Sequence, residues 1–309
     1  MTILVVGASG LAGRHVAGAI AAHGLRVLRT ARAPRDGDAI ALDLLDPRSI
    51  DALPPFDVVV NCAGLTPARV GHAWADYRAV NVDAVDRLAR AARERRALFI
   101  QVSTMARLSG AVRTRHRRSY VLSKKLAERC LRSHVQAGLD VWIVRTAAMY
   151  GEGDRGNMSR LIRAIAHRRF AFAGGTQRKC FLYAGTLGDA VVAHISGPRE
   201  GTPPVEYLSS GEALPFSELV GLIERLTDGR AWRVPLSIQV AQGIAGSVGH
   251  AAHVLGLRRL EDTTAAALVS FADVQCAEPN AIARLGVEPL PIAEGIRRQV
   301  GWMREHGAL

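Results

Sequence analysis

Two residues one helical turn apart, Tyr120 and Lys124, carry the strongest chemical signal in this sequence of 309 residues. Residues i and i+4 of a helix share a face. An ammonium group beside a phenol favours the phenolate and draws the tyrosine pKa toward neutrality. Such a tyrosine can pass a proton to a carbonyl oxygen or take one from a hydroxyl. Just upstream, the apolar run that begins at Phe99 ends in Ser103-Thr104. A hydroxyl there can hydrogen-bond the same reacting oxygen, or it can simply cap the strand end. A Tyr-x-x-x-Lys spacing arises often by chance, so its weight depends on the elements that position it.

Those elements alternate. Ile3–Val6, Arg26–Thr30, Val58–Asn61, Leu98–Val102 and Val141–Val144 are short runs rich in Val, Ile and Leu, which predict buried strands. Leu11–His23, Trp74–Arg95 and Tyr120–Ala137 carry helical spacing, seen in Trp74, Tyr77, Val80, Val85, Leu88 and Ala92. This alternation predicts parallel crossover units and a doubly wound α/β sheet. The rhythm breaks after Gly151, with helical patterns at Phe216–Leu226 and Ser237–Leu257. The organisation expected is a dinucleotide-binding domain over 1–150, with a contribution from about 176–200, and a smaller, mainly substrate-binding lobe over 151–309. Ser237–Leu257 is too glycine-broken for a membrane span and reads as a core or pocket-lining helix rather than an interfacial anchor.

The first strand runs into Gly7-Ala8-Ser9-Gly10-Leu11-Ala12-Gly13. Glycines between a strand and a helix permit a tight turn, close approach to a pyrophosphate and close helix–strand packing. The helix then points its free N–H groups at the phosphates. The end of the second strand selects the cofactor: an acid there suits NAD, a base suits the 2′-phosphate of NADP. Here it reads Leu28-Arg29-Thr30-Ala31-Arg32. Arg32, helped by Arg29, can pair with that phosphate through its fork of donors, so NADP(H) is expected, with NAD the alternative.

Composition narrows the partners. The net charge is +12, but aromatic residues are only 5%, too few for a base-stacking surface, so no specific nucleic-acid partner is expected. Arg113, Arg115, Arg117 and Arg118 lie just before Tyr120 and could attract an anionic small-molecule substrate. Cys62, Cys130, Cys180 and Cys276 form no close pair in sequence. That argues against a metal site or disulfide framework and for a reducing compartment. No signal peptide and no membrane span are read, and a cytoplasmic location is expected.

These motifs together resemble the extended short-chain dehydrogenases/reductases of the NAD-dependent epimerase/dehydratase-like family. The glycine spacing is theirs, and Tyr120 and Lys124 open the helix after the fifth strand, where that family keeps its catalytic pair. Arg145-Thr146-Ala147-Ala148-Met149-Tyr150-Gly151-Glu152-Gly153-Asp154 and Ala283-Arg284-Leu285-Gly286 resemble its later segments. The resemblance implies a Rossmann fold and a Thr104–Tyr120–Lys124 triad, with Ser103 as understudy. It implies that Asp43, with Leu44, contacts the adenine, and that Asn61-Cys62-Ala63-Gly64 lines the adenine side. Asn81 takes the place of an asparagine that holds backbone beside the site, and pairing of two subunits through Trp74–Arg95 and Tyr120–Ala137 is implied. The segment Arg107-Leu108-Ser109 departs from the family's usual continuation, so an unusual substrate loop is expected.

Three activities fit this pattern. The first is NADP(H)-dependent interconversion of a carbonyl and an alcohol. The second is epimerisation or dehydration of a nucleotide sugar on bound NAD. The third is a cofactor-binding sensor or assembly protein without chemistry. Thr104 is followed by Met105-Ala106 rather than by the Asp-Glu pair of such dehydratases, and the arginines favour NADP(H). Both tilt the reading to a reductase, and retention of Tyr120, Lys124 and Thr104 argues against the sensor. Asn157 and Arg178, with Arg155 and Lys179 near them, would suit a nucleotide diphosphate, whereas the apolar Ser237–Leu257 would suit a hydrophobic substrate. The expectation leans to a sugar or nucleotide-sugar carbonyl.

Overall fold

The computed structural model describes residues 1–34, 39–66, 72–105, 115–199, 204–257, 274, 276–277 and 280–309. Its spine is a parallel sheet of seven strands: β1 (Thr2–Val6), β2 (Arg26–Ala31), β3 (Ala39–Ala41), β4 (Val58–Asn61), β5 (Leu98–Thr104), β6 (Val141–Thr146) and a late strand, Val205–Leu208. In space the order is late strand, β6, β5, β4, β1, β2, β3. The sequence switches direction between β1 and β4, the crevice where such sheets take ligands.

Strands buried on both faces need helices on both faces. On one side α1 (Leu11–Ala22) packs with Ile3, Val5, Ile100 and Val144. On the other side lie α2 (Pro47–Asp51), α3 (Trp74–Arg78), α4 (Ala84–Glu94) and α5 (Arg115–Gln136). There Leu4, Val59, Phe99, Leu88 and Leu131 close a second core. The helix expected over Trp74–Arg95 is interrupted by a π turn at Ala79–Asp83. Such turns insert a residue and are frequent at functional sites; this one carries the buried Asn81. Helix α5 begins five residues before Tyr120, so the tyrosine stands inside the helix instead of opening it.

Beyond β7 (Ala148–Tyr150), α6 (Asn157–Ala166), β8 (Phe170–Ala173) and β9 (Arg178–Tyr183) begin the second half. The chain then returns through α7 (Ala184–Ser196) to the late strand, β10, which joins the main sheet beside β6. β11 (Ala213–Pro215), α8 (Phe216–Thr227), β12 (Ala231–Val234), α9 (Ile238–Val254), α10 (Ala281–Leu285) and α11 (Ile292–Glu305) complete it. A separate core of Tyr150, Ile162, Phe216, Leu219, Ile296 and Val300 holds this lobe together.

Two sequence expectations fail here. Cys180 and Cys276 form a disulfide with Cα atoms 5.3 Å apart at a sequence separation of 96. Spacing along a chain does not report distance in a fold, and the scatter of the cysteines therefore says nothing about redox environment; Cys62 and Cys130 are free thiols. Of the core or pocket-lining reading of α9, the core half fails: Val240, Ile244 and Val248 are all exposed.

Buried polar groups fasten the edge of the main sheet. Glu206 of β10 receives the Trp142 indole N–H at 2.8 Å and the Arg284 guanidinium through two bonds of 2.9 and 2.6 Å. Trp142 also stacks on His194, ring centroids 4.1 Å apart. Burial, with Arg284 and Arg199 nearby, pushes the His194 imidazole down to about 4. Its ordinary value is 6.5, so the unfolded chain takes up a proton between pH 6.5 and about 4 while the folded chain does not. Stability is therefore complete above that window and lost as pH falls through it. Thermal denaturation followed between pH 7 and 4 should show that fall, and His194→Phe should flatten it; an equally steep fall in the variant would assign it elsewhere.

Candidate active site

The glycine loop comes first along the chain. Gly7 has φ +79°, and a methyl group there would come within 2.9 Å of the Ala63 backbone. One at Gly13 would lie 2.3 Å from the Gly7 carbonyl oxygen. Both positions thus exclude any side chain, because loop, helix and β4 exit are in direct contact. Ser9 and Gly10 are exposed and Leu11 opens α1; Gly10 caps the helix without a side chain, and no acid sits in its first turn. An uncovered positive helix end of this kind fits a pyrophosphate. Ala8 N–H donates to Thr30 O at 3.0 Å, which ties the loop to the end of β2. Arg32, exposed, follows that end directly, with Arg29 half-buried before it. The residues present therefore fit a dinucleotide, with arginines rather than an acid at the end of β2.

The adenine-side residues are next to this cradle. Asp43 is exposed and its carboxylate accepts from Leu45 N–H at 3.0 Å. The Leu44 carbonyl accepts from Arg87 at 2.8 Å. Asn61 is buried, holding Gln101 Oε1 at 3.0 Å and the Ala63 N–H at 3.1 Å. Cys62 faces Lys124, and burial pushes its thiol up to about 12, so it is a neutral wall rather than a nucleophile.

Helix α5 lies against the end of β5, and three consecutive strand residues grip it. The Val102 carbonyl accepts from Lys124 Nζ at 3.1 Å. Ser103 Oγ donates to Glu128 Oε1 at 2.7 Å. Thr104 hydrogen-bonds the Tyr120 phenol. Thr104, the hydroxyl expected in the triad, thus meets Tyr120, while its understudy Ser103 is buried against Glu128.

Electrostatics differ from the sequence expectation. Burial dominates at Tyr120 and raises its phenol above the ordinary 10; the Thr104 bond opposes this and nearby Tyr77 reinforces it. A drop toward neutrality driven by Lys124 is not found. Burial also lowers Lys124, to about 8, against the pull of Cys62 and Glu128. At neutral pH the pair is thus a protonated phenol and an ammonium.

Sequence reading missed several supporting groups. Glu128, four residues after Lys124 and on its face, pairs with Arg145 at 2.6 and 3.0 Å, and Arg145 reaches Tyr207 at 3.1 Å. Its i+4 spacing was the available signal; its partner on β6 was not. Asn81, by contrast, was expected to hold backbone beside the site: it clamps the Leu65 backbone through bonds of 2.8 and 3.0 Å and holds Ser123 Oγ at 2.9 Å. Tyr77 is fully buried, and its hydroxyl has no partner among the described residues. Asn157 opens α6 and Arg178 opens β9, both exposed. The expected substrate loop at 107–109 and Arg113 lie outside the described residues. A recess of about 350 Å³ lined by Trp74, Arg78, Leu126 and Cys130 lies between α3 and α5, and Tyr120 does not line it.

The family model for the NAD dependent epimerase/dehydratase family matches residues 3–208, from β1 through the last strand of the main sheet. The chain belongs to this family. A curated relative named ceramide reductase, from Caulobacter vibrioides (strain NA1000 / CB15N), is 29% identical over 283 residues, covering 86% of this chain and 77% of its own. Among solved structures, MoeE5 in complex with UDP-glucuronic acid and NAD superposes with a TM-score of 0.75 at 22% identity, covering 99% of this chain and 100% of that one. RMD from Pseudomonas aeruginosa complexed with NADPH gives 0.70 at 20% identity, covering 98% and 99%. These structures share the fold and between them hold NAD and NADPH.

Two outcomes are expected of the site. Tyr120→Phe should fold and bind dinucleotide normally but lose about a hundredfold or more in turnover of substrate with the dinucleotide; undiminished turnover would remove Tyr120 from the chemistry. Reductive kcat/KM should fall as pH rises through about 8, where Lys124 loses its charge; a flat profile across that range would show that the ammonium is not needed.

Proposed function

We propose that this protein is an NADP(H)-dependent reductase that interconverts a carbonyl and an alcohol. The observation that carries the reading is Tyr120 hydrogen-bonded to Thr104, one helical turn from the buried ammonium of Lys124. A dinucleotide held by its pyrophosphate at the glycine loop would supply hydride to the carbonyl carbon. Tyr120 then donates its proton to the oxygen as the C=O π bond becomes the new O–H bond, and the Thr104 hydroxyl orients that oxygen. A phenol kept protonated by burial suits this reductive direction, in which the tyrosine acts as acid. Lys124, charged at neutral pH, balances the phenolate left behind. Arg32, with Arg29 behind it, would take the 2′-phosphate.

For the substrate we infer a carbonyl on a long apolar chain. A relative named ceramide reductase supports this reading, as does the carbon-rich surface of α9. A nucleotide-sugar carbonyl is the second reading; the UDP-glucuronic acid held by MoeE5 and the positions of Asn157 and Arg178 favour it. A cytoplasmic location and pairing of two subunits through α3–α4 and α5 belong to the same proposal.

Two measurements test it. NADPH should bind at least about tenfold tighter than NADH, and Arg32→Ala should remove most of that difference, which is about 1.4 kcal/mol per tenfold; equal affinities in the parent protein would refute the NADP(H) assignment. NADPH oxidation should accompany reduction of a long-chain keto amphiphile in mixed micelles. Turnover of a UDP-sugar with tightly bound NAD, and none of the keto lipid, would give the function to the second reading.

A further inference from the structure

The chain from β12 into α9 carries a run of exposed apolar side chains. Residues two apart in a strand share a face, and in β12 Trp232 and Val234 both stand exposed, Trp232 at 64%; Leu236 is exposed in the turn that follows. Arg233, between the first two, goes to the other side and lies over the Phe172 ring. Helix α9 continues the run: Val240, Ile244 and Val248 follow at i+4 steps, with exposures of 48%, 52% and 37%. At about 100° per residue these three, with Leu255 beyond the helix end, fall within an arc of about 80°. Small residues, Ala241 and Ala252, form the buried face, and Gln239, Gln242 and His250 the polar flank.

Monomeric proteins rarely expose large apolar patches without a partner. The charges beside it indicate which partner. Helix α9 contains no Asp, Glu, Lys or Arg at all. At the start of the strip, His167, Arg168 and Arg169 lead into β8 and Arg230 into the paired β12, all four exposed. The nearby acids are Glu224, already paired with Arg233, and Asp228. An apolar strip with an indole at its rim, basic neighbours and a chain charge of +12 complements an anionic lipid surface. A coiled coil with a second copy fits less well, since a heptad seam through Val240 and Ile244 would next need Ser247 and Ala251. No helix among the described residues is long and apolar enough to cross a membrane.

We propose that α9, with Trp232 and Leu236, lies in the interface of an anionic membrane and holds the protein on that surface as a peripheral enzyme. Docking shares the α9 surface with the substrate reading but rests also on the neighbouring arginines; the substrate reading supplies its use, because a long-chain carbonyl partitions into the bilayer. The test is flotation of the whole protein with vesicles of phosphatidylcholine containing phosphatidylglycerol, against phosphatidylcholine alone. Binding should require phosphatidylglycerol, weaken with added salt, and fall by about tenfold or more in Ile244→Glu/Val248→Glu. The variant should keep its melting temperature and its NADPH affinity, since both side chains are exposed. Should it fail to fold, Arg168→Gln/Arg169→Gln carries the same test through the anionic-lipid dependence alone. Absence of flotation with either vesicle would overturn the proposal. So would a soluble dimer broken by the glutamates, which would give the strip to a second copy. NADPH binding and turnover of a short soluble carbonyl, read in parallel, report on the reductase assignment separately.

Discussion

Everything at the site depends on how one helix is registered against the end of one strand. Val102, Ser103 and Thr104 of β5 hold, in turn, Lys124, Glu128 and Tyr120 of α5. The three helix residues are one turn apart, so the strand meets a single face of α5. Rotating or sliding the helix by one residue would break all three contacts together. The Glu128–Arg145 pair fixes this register to β6 as well, and with both groups buried and forked it tolerates little displacement. Removing one member would strand a buried charge, which is what makes the register all-or-none.

The rest of the site is built onto that seam from the other side. The π turn brings Asn81 to the Leu65 backbone and to Ser123, one residue before Lys124 on α5. A methyl group at Gly64 would come 3.1 Å from Asn81 Oδ1 and 3.3 Å from Lys124 Nζ. The exit of β4, the π turn and α5 therefore converge on one point, with the glycine loop in contact through Ala63. Close packing here has an electrostatic consequence: it removes water from Tyr120, Lys124 and Cys62 together. Desolvation then outweighs the attraction between unlike groups, keeping the phenol and thiol protonated and softening the lysine.

The two halves of the protein are stabilised differently. The main sheet is sandwiched between apolar helices and finished at its edge by Glu206 with Trp142 and Arg284. The second lobe has its own core but leaves the β12–α9 strip uncovered. A disulfide from β9 to Cys276 fastens part of this lobe at a sequence separation of 96.

By itself the sequence determined the doubly wound sheet, the glycine loop and the placement of Tyr120 and Lys124 one turn apart on a single helix. Each of these is written in local spacing: runs of β-branched residues, glycines between strand and helix, and a four-residue step along one helix face. Local spacing does not distinguish the hydroxyls of Ser103-Thr104; the family resemblance chose Thr104. The tertiary structure brings Thr104 to the tyrosine and Ser103 to Glu128, because neighbouring residues point apart. It alone revealed Arg145 against Glu128, the bond between Cys180 and Cys276, and the sign of the shift at Tyr120, which depends on burial rather than on the nearest charge. It also decided the fate of Ile238–Val254: an apolar helix reads the same in sequence whether it lines a core or faces outward, and only what packs against it makes the difference.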